Sequence, residues 1–343
     1  MNTVLTALGV SLPVIAAPMA GGSSTAALVD AAASEGSLGF LAGGYKTPED
    51  LAEQIASVRA ESAFFGVNLF APNPFPVDPA AFRRYARLIQ SQGDRYGIDL
   101  ASAAHLEDDD RWADKIDLLL ADPVPVASFT FGIPPEATVA ALRRAGTIVV
   151  QTVTSPGEAK VAQAAGVDML AVQASAAGGH SGTLNPAVIP PGIPLTDLLA
   201  QVRAATTLPL IAAGGLATPS AVAAALRAGA DAAMVGTVLL RSDESGASGP
   251  HRAALTEPTR GQTVVTRAFT GRPARALRND FTDCYTPLAP GGYPALHHLT
   301  SPLRRAAVAA GDPETINLWA GTGYQHATAE PAAQILTRLS EQA

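Results

Sequence analysis

The chain has 343 residues, 48% hydrophobic and only 15% charged, which is enough for a large buried core as one barrel-sized domain or two smaller ones. Its 23 Lys and Arg against 30 Asp and Glu leave a net charge of −7, a field that repels polyphosphates and anionic lipid, so no nucleic-acid or membrane partner is expected. The single cysteine, Cys284, has no partner for an internal disulfide, and no spacing of His, Cys or carboxylates reads as a metal site.

Residues 4–20 are mostly apolar, and Ala16-Ala17-Pro18-Met19-Ala20 imitates a signal-peptide cleavage site. The first basic residue is Lys46, however, and Pro13 and Pro18 interrupt any helix there. No apolar run reaches the roughly 18 residues that a membrane span needs, and a cytoplasmic protein is expected. Short apolar runs then alternate with Ala-rich stretches. The predicted strands cover 14–17, 39–42, 64–69, 124–129, 148–153, 169–173, 209–213 and 232–235, aliphatic as in parallel strands covered on both faces. Helix starts are marked by a hydroxyl cap followed by proline, at Thr47-Pro48, Ser155-Pro156 and Thr218-Pro219. Gly146, Gly166 and Gly229 mark helix exits.

This alternation predicts an α/β protein with a TIM (β/α)8 barrel over residues 1–240, a doubly wound sheet with a second domain being the competing architecture. After Arg241 the period is lost. Residues 262–270 read as extended, 287–294 as turn-rich, and 303–310, 313–319 and 332–342 as helical. Residues 241–343 are therefore expected as an α-rich extension packed beside the barrel rather than an independent domain.

In a barrel, chemistry sits at the carboxyl ends of the strands. After the first strand, the glycines of Ala17-Pro18-Met19-Ala20-Gly21-Gly22 allow a flat ligand to approach the backbone, although a plain βα turn has the same composition. Ala213-Gly214-Gly215 and Val235-Gly236-Thr237 follow the last two strands, where barrels commonly bind phosphate on backbone N–H groups. The sixth strand runs into Gln173-Ala174-Ser175-Ala176-Ala177-Gly178-Gly179-His180, which sets a histidine at the strand mouth as a candidate proton acceptor. Asn68 and Gln173 carry amides that either donate and accept at a heterocycle edge or satisfy loop backbone. The other five histidines have surface or structural settings. No Gly-x-Ser-x-Gly elbow or Walker phosphate loop occurs.

The ordered set Ala17-Pro18-Met19-Ala20-Gly21-Gly22, Gly39-Phe40-Leu41-Ala42-Gly43-Gly44-Tyr45-Lys46, Val67-Asn68-Leu69-Phe70, Ala177-Gly178-Gly179-His180 and Ala212-Ala213-Gly214-Gly215 resembles the nitronate monooxygenase family. The stretch Gly271-Arg272-Pro273-Ala274-Arg275 extends the resemblance into the tail. The resemblance implies a barrel with non-covalent FMN, contacted by Met19, Asn68, Gln173, Gly178, Gly215, Met234, Val235, Gly236 and Thr237, and places His180 on the family's catalytic histidine. Where family members often carry an acidic residue this chain has Ala176, which leaves open how His180 is oriented.

The implied reaction oxidises small alkyl nitronates of the propionate 3-nitronate type with O2, through a flavin semiquinone, to a carbonyl compound and nitrite. In it His180 acts as base toward a neutral nitroalkane or as hydrogen-bond donor to a nitronate. Because the net charge does not favour an anionic substrate, local positive potential is required. Lys46 is the candidate for it, with Tyr45, Tyr285, Tyr293 and Tyr324 as candidates for the pocket wall. The alternatives are an NAD(P)H-dependent flavin barrel reductase of the enoyl-ACP or quinone kind, and a barrel that binds a phosphorylated ligand without turnover.

Overall fold

The computed structural model describes residues 3–7 and 9–343. Its strands are β1 (Val14–Ala16), β2 (Gly39–Ala42), β3 (Phe65–Ala71), β4 (Val126–Phe131), β5 (Ile148–Val153), β6 (Met169–Gln173), β7 (Gly179–His180), β8 (Leu210–Ala213), β9 (Ala232–Val235), β10 (Thr263–Thr266) and β11 (Ala274–Leu277). All but β7, β10 and β11 form a closed parallel barrel, sealed where Ile15 of β1 pairs with Met234 of β9. This is the expected (β/α)8 barrel, and the doubly wound alternative is excluded. β3 and β4 run two residues further than expected because their ladder continues from Gly66–Val126 to Ala71–Phe131. β8 starts at Leu210 rather than Pro209, which has no N–H to give a ladder.

The local signals act as predicted. Thr47, Ser155 and Thr218 each accept from the backbone N–H three residues on, at 3.1, 3.2 and 3.2 Å, with proline in the first turn. Gly146, Gly166 and Gly229 leave their helices with φ of 90, 84 and 98°, the left-handed backbone that glycine alone adopts without strain.

Strand parity divides the core. Val67, Leu69, Ala127, Phe129, Val149, Leu170, Val172, Ala212 and Val235 face outward against the helices. Ile15, Phe40, Val126, Val150, Met169, Ile211, Ala232 and Met234 fill the barrel interior, with Leu5, Val10 and Leu38 clustered on them.

The tail differs from its prediction in two places. The helix Ala332–Ser340 packs against β1 and the helices Ala26–Ser34 and Pro219–Arg227, with Ala332, Ile335, Leu336 and Leu339 buried in the outer core. It supplies the eighth helix of the ring, so residues 241–331 are a long excursion between the last strand and its helix. Within that excursion, 313–319 is helical only as a 3-10 turn at Pro313–Thr315. The rest is extended, because Leu277 N–H donates to Leu318 C=O at 2.8 Å and Trp319 bridges to Ala276. The stretch expected as extended, 262–270, contains β10, and β10, β11 and β7 form an antiparallel sheet in which Ala274 pairs with His180. A second core joins Phe82, Tyr85, Ile89 and Leu100, inserted between β3 and β4, to Phe269, Phe281, Leu296, Leu299 and Leu303 of the tail. Insertion and tail together roof the carboxyl end of the barrel. Among the described residues, no helix is long and apolar enough to cross a membrane.

Candidate active site

The inward positions that are apolar at the base of the barrel become polar toward its mouth, as Asn68, Thr130, Thr152 and Gln173. They open into a cavity of about 510 Å³, within the range of small-molecule and cofactor sites. Met19, Asn68, Gln173, Gly178, His180, Gly215, Met234, Val235, Gly236, Thr237 and Tyr45 all border it. Lys46 does not: its ammonium donates to Gln54 Oε1 and stays outside the cavity wall. The expected source of positive potential is therefore elsewhere. Tyr293 joins the site through Tyr45, whereas Tyr285 packs in the second core and Tyr324 donates to Gly261 C=O at 2.6 Å.

One side of the cavity is backbone. Gly214 and Gly215 have φ of 110 and 75° and lead into the helix capped by Thr218. Val235 faces outward with 1% exposure, so it reaches the cavity only through its main chain. Met19 is tied into its own turn, its N–H donating to Ser24 Oγ at 2.8 Å and its C=O accepting from Ser24 N–H at 3.2 Å. Gly178 serves loop closure: a Cβ there would lie 2.5 Å from the amide nitrogen of Gly321 in the tail. The Gly321 N–H in turn donates to Thr237 Oγ1 at 2.9 Å, and Thr322 N–H to Ala176 C=O at 3.0 Å. These bonds pin the tail to the loops after β6 and β9.

The amides are engaged as well. Asn68 Nδ2 donates to Ser128 Oγ at 2.9 Å and to Thr130 Oγ1 at 3.1 Å. Gln173 bridges its own loop, accepting from Gly182 N–H at 2.7 Å and donating to His180 C=O at 3.1 Å. Gln173 thus fixes the backbone that carries His180.

The other side of the cavity is built of side chains. His180 Nε2 lies 2.9 Å from Thr270 Oγ1, so a tail hydroxyl orients the ring in this chain, where Ala176 supplies no carboxylate. Phe131, Trp319 and Tyr293 surround the imidazole at centroid distances of 5.6, 5.3 and 6.0 Å. Burial, with the nearby charges of Arg272 and Arg304, pushes the His180 pKa down to about 3 and holds it neutral. Tyr45 stacks on His297 at 3.9 Å and accepts from Tyr293 Oη at 3.2 Å.

Tyr45 and Phe131 have φ of 67 and 81°, a backbone region costly for such side chains and found at sites the surroundings hold in place. Asp110, itself paired with buried Lys115 at 2.8 Å, accepts the Tyr45 N–H at 3.0 Å and holds that turn. Arg272 lies 4.0 Å over the Phe131 ring.

Arg304, Trp319, Asn317 and His251 border the cavity without having been singled out in the sequence. Their signal is tertiary, because they lie on the excursion where the repeating pattern is lost. His251 is structural in character, its Nε2 lying 3.1 Å from Trp319 C=O, while burial lowers its pKa to about 4.

A closed parallel barrel with this deep, side-chain-roofed cavity at its carboxyl end has the architecture of a (β/α)8 enzyme. Comparison with known proteins narrows the class. The nitronate monooxygenase family model matches residues 2–342. A Staphylococcus aureus (strain Newman) relative, "Probable nitronate monooxygenase", is 33% identical over 99% of this chain and 97% of its own. The solved nitroalkane oxidase from Streptomyces ansochromogenes is 45% identical with a TM-score of 0.92, covering 99% of this chain and 97% of that one. FabK from Thermotoga maritima is 26% identical with a TM-score of 0.76, over 100% of this chain and 96% of that one. The chain belongs to the nitronate monooxygenase family and is an oxidoreductase.

Proposed function

We infer that this protein is an FMN-dependent monooxygenase that converts small alkyl nitronates, of the propionate 3-nitronate type, with O2 to a carbonyl compound and nitrite. The observation that carries this reading is that one cavity joins the glycine turns of 214–215 and 236–237 to a neutral His180 under an aromatic roof. The residues fit the cofactor. Gly21 and Gly179, with φ of 90 and 75°, border the cavity and have nothing within 4 Å of where a Cβ would stand, which leaves bare backbone for a flat ring. In this reading Gly215, Gly236 and Thr237 hold the phosphate. Asn68, Gln173 and Gly178 line the ring edge, and Met19, Met234 and Val235 form its bed.

When bound, FMN would supply one-electron redox chemistry between the electron-rich nitronate and O2. The chain supplies position and dryness. Tyr45, Phe70, Phe131 and Trp319 border or enclose the space beside His180 and exclude water from it. A ring with a pKa near 3 is a poor acceptor for a carbon-bound proton. A preformed nitronate is therefore the better-matched substrate, and a neutral nitroalkane, deprotonated by His180, the slower one. Residues 1–240 and 241–343 work as one unit in this reading, since the tail provides Thr270, Trp319 and the last ring helix.

The test is an absorbance spectrum of the purified protein, followed by anaerobic addition of ethyl nitronate and, separately, NADH. Flavin bands that bleach with nitronate and not with NADH are expected. Bleaching by NADH alone would move the assignment to the reductase, and no flavin after reconstitution with FMN would overturn both. His180→Asn is expected to keep FMN and to lower kcat/KM on nitroethane about 100-fold or more, the usual loss for a proton-transfer group. An unchanged value would remove the base assignment.

A further inference from the structure

We propose that Arg304 is the anion-binding residue of the cavity, selecting an oxyanion, and so the nitronate over the neutral nitroalkane. This rests on the functional reading above for the identity of the anion, though not for the existence of the site. Arg304 sits on the helix Ala295–Ala309, borders the cavity, and is otherwise enclosed by protein. Its guanidinium donates only to neutral groups. Nε reaches Thr300 Oγ1 at 3.2 Å, Nη1 reaches Asn317 Oδ1 at 3.3 Å, and Nη2 reaches both His297 C=O at 3.1 Å and His297 Nδ1 at 3.2 Å. One of the five N–H groups, on Nη1, is left for a ligand.

Two other enclosed cations, Lys115 and Arg260, are neutralised by the chain itself. Lys115 pairs with Asp110 at 2.8 Å, and Arg260 with Glu257 at 2.7 Å and Glu314 at 2.8 Å. Among the described residues no carboxylate forms an ion pair with Arg304. A desolvated charge without a counter-charge is costly, and an anion entering the cavity relieves that cost. The titratable groups that interact with it are the phenols of Tyr45 and Tyr293, the neutral rings of His180 and His297, and cationic Arg305; none is an anion at neutral pH. Burial brings the guanidinium down to about 10, so it stays charged.

The free Nη1 N–H and the guanidinium charge can take one oxygen of an anion, and the field acts on His180, Tyr45 and Tyr293 at the reactive end. Arg272, the other enclosed arginine without a carboxylate, is held by Ser181 and Thr183 carbonyls and does not border the cavity. The nitronate and the flavin phosphate are the two anions that Arg304 could pair with, and the experiment separates them.

Arg304→Gln and Arg304→Lys are compared with wild type as FMN-loaded enzymes. The readouts are nitrate titration by flavin fluorescence, flavin content, and kinetics on ethyl nitronate and nitroethane. For the glutamine variant the nitrate Kd and the nitronate KM are expected to rise about 30-fold, as for loss of a charge-assisted hydrogen bond. Flavin content should hold and the nitroethane KM should rise less than the nitronate KM, with the lysine variant recovering part of the nitrate affinity. Equal nitrate binding by wild type and the glutamine variant would overturn the inference. So would loss of FMN from the glutamine variant, which would give Arg304 to the flavin phosphate. If the glutamine variant does not fold, the lysine variant decides: a several-fold weaker nitrate Kd supports the site and an unchanged one overturns it. A wild type that binds nitrate through Arg304 yet turns over no nitronate would remove the functional reading and leave the anion site standing.

Discussion

The two sides of the cavity are built by different means. The glycine side is assembled from strand ends and the turns that follow them, each within a single βα unit: Gly214 and Gly215 after β8, Gly236 and Thr237 after β9. The roofed side draws Tyr45, Phe131, His180, Thr270, Tyr293, Arg304 and Trp319 from segments scattered along the chain. The first offers backbone and no net charge, whereas the second offers rings, a hydroxyl and an unpaired cation. A barrel can therefore hold a ligand by local rules alone, while selecting chemistry takes contacts between distant parts of the chain.

The comparison predicts where the molecule breaks. Truncation before Ala332 removes the last ring helix, whose Ile335, Leu336 and Leu339 are at most 2% exposed. At about 2 kcal/mol for each of these side chains the loss is about 6 kcal/mol, comparable to the whole stability of a domain. Loss of soluble protein on expression is expected, and a cooperative melt near the wild-type Tm would show that the barrel closes without that helix. The glycines on the two sides of the loop–tail seam should then differ. Gly178→Ala sets a methyl 2.5 Å from the Gly321 nitrogen and is expected to cost about 3 kcal/mol, whereas Gly236→Ala meets nothing closer than 3.5 Å and should cost under about 0.5 kcal/mol. Urea unfolding of the two variants checks this, and equal midpoints would refute the interlock.

Acid should act on the roofed side. His251 is 8% exposed and neutral in the fold, its pKa lowered from 6.5 to about 4 by burial. Between those values the unfolded chain binds a proton that the folded chain does not, so stability is full above pH 6.5 and falls as pH drops toward 4. At pH 5 the difference of 1.5 units corresponds to about 2 kcal/mol for this residue. Thermal melts at pH 7 and 5 should show a drop in Tm that His251→Gln makes smaller. An equal drop in the variant would assign the proton uptake to other groups, His180 and His297 among them.

The sequence determined the barrel and its glycine side, because both follow from rules that act over a few residues. Aliphatic runs make covered parallel strands, Thr47-Pro48 and Thr218-Pro219 start helices, and Gly214-Gly215 supplies the left-handed turn. It also marked His180 and the residues beside it, since a histidine after a strand end can only emerge at the barrel mouth.

Only the tertiary structure decided what surrounds that histidine. Thr270 orients it in place of a carboxylate at Ala176, Gly178 and Gly321 interlock across the seam, and Lys46 turns to Gln54. The positive charge falls instead to Arg304, whose helical surroundings in the sequence give no sign of a cavity. The reason is physical: a side chain's field depends on which groups enclose it. Those groups are brought together by packing the insertion and the tail over the barrel, a long-range event that no spacing along the chain records.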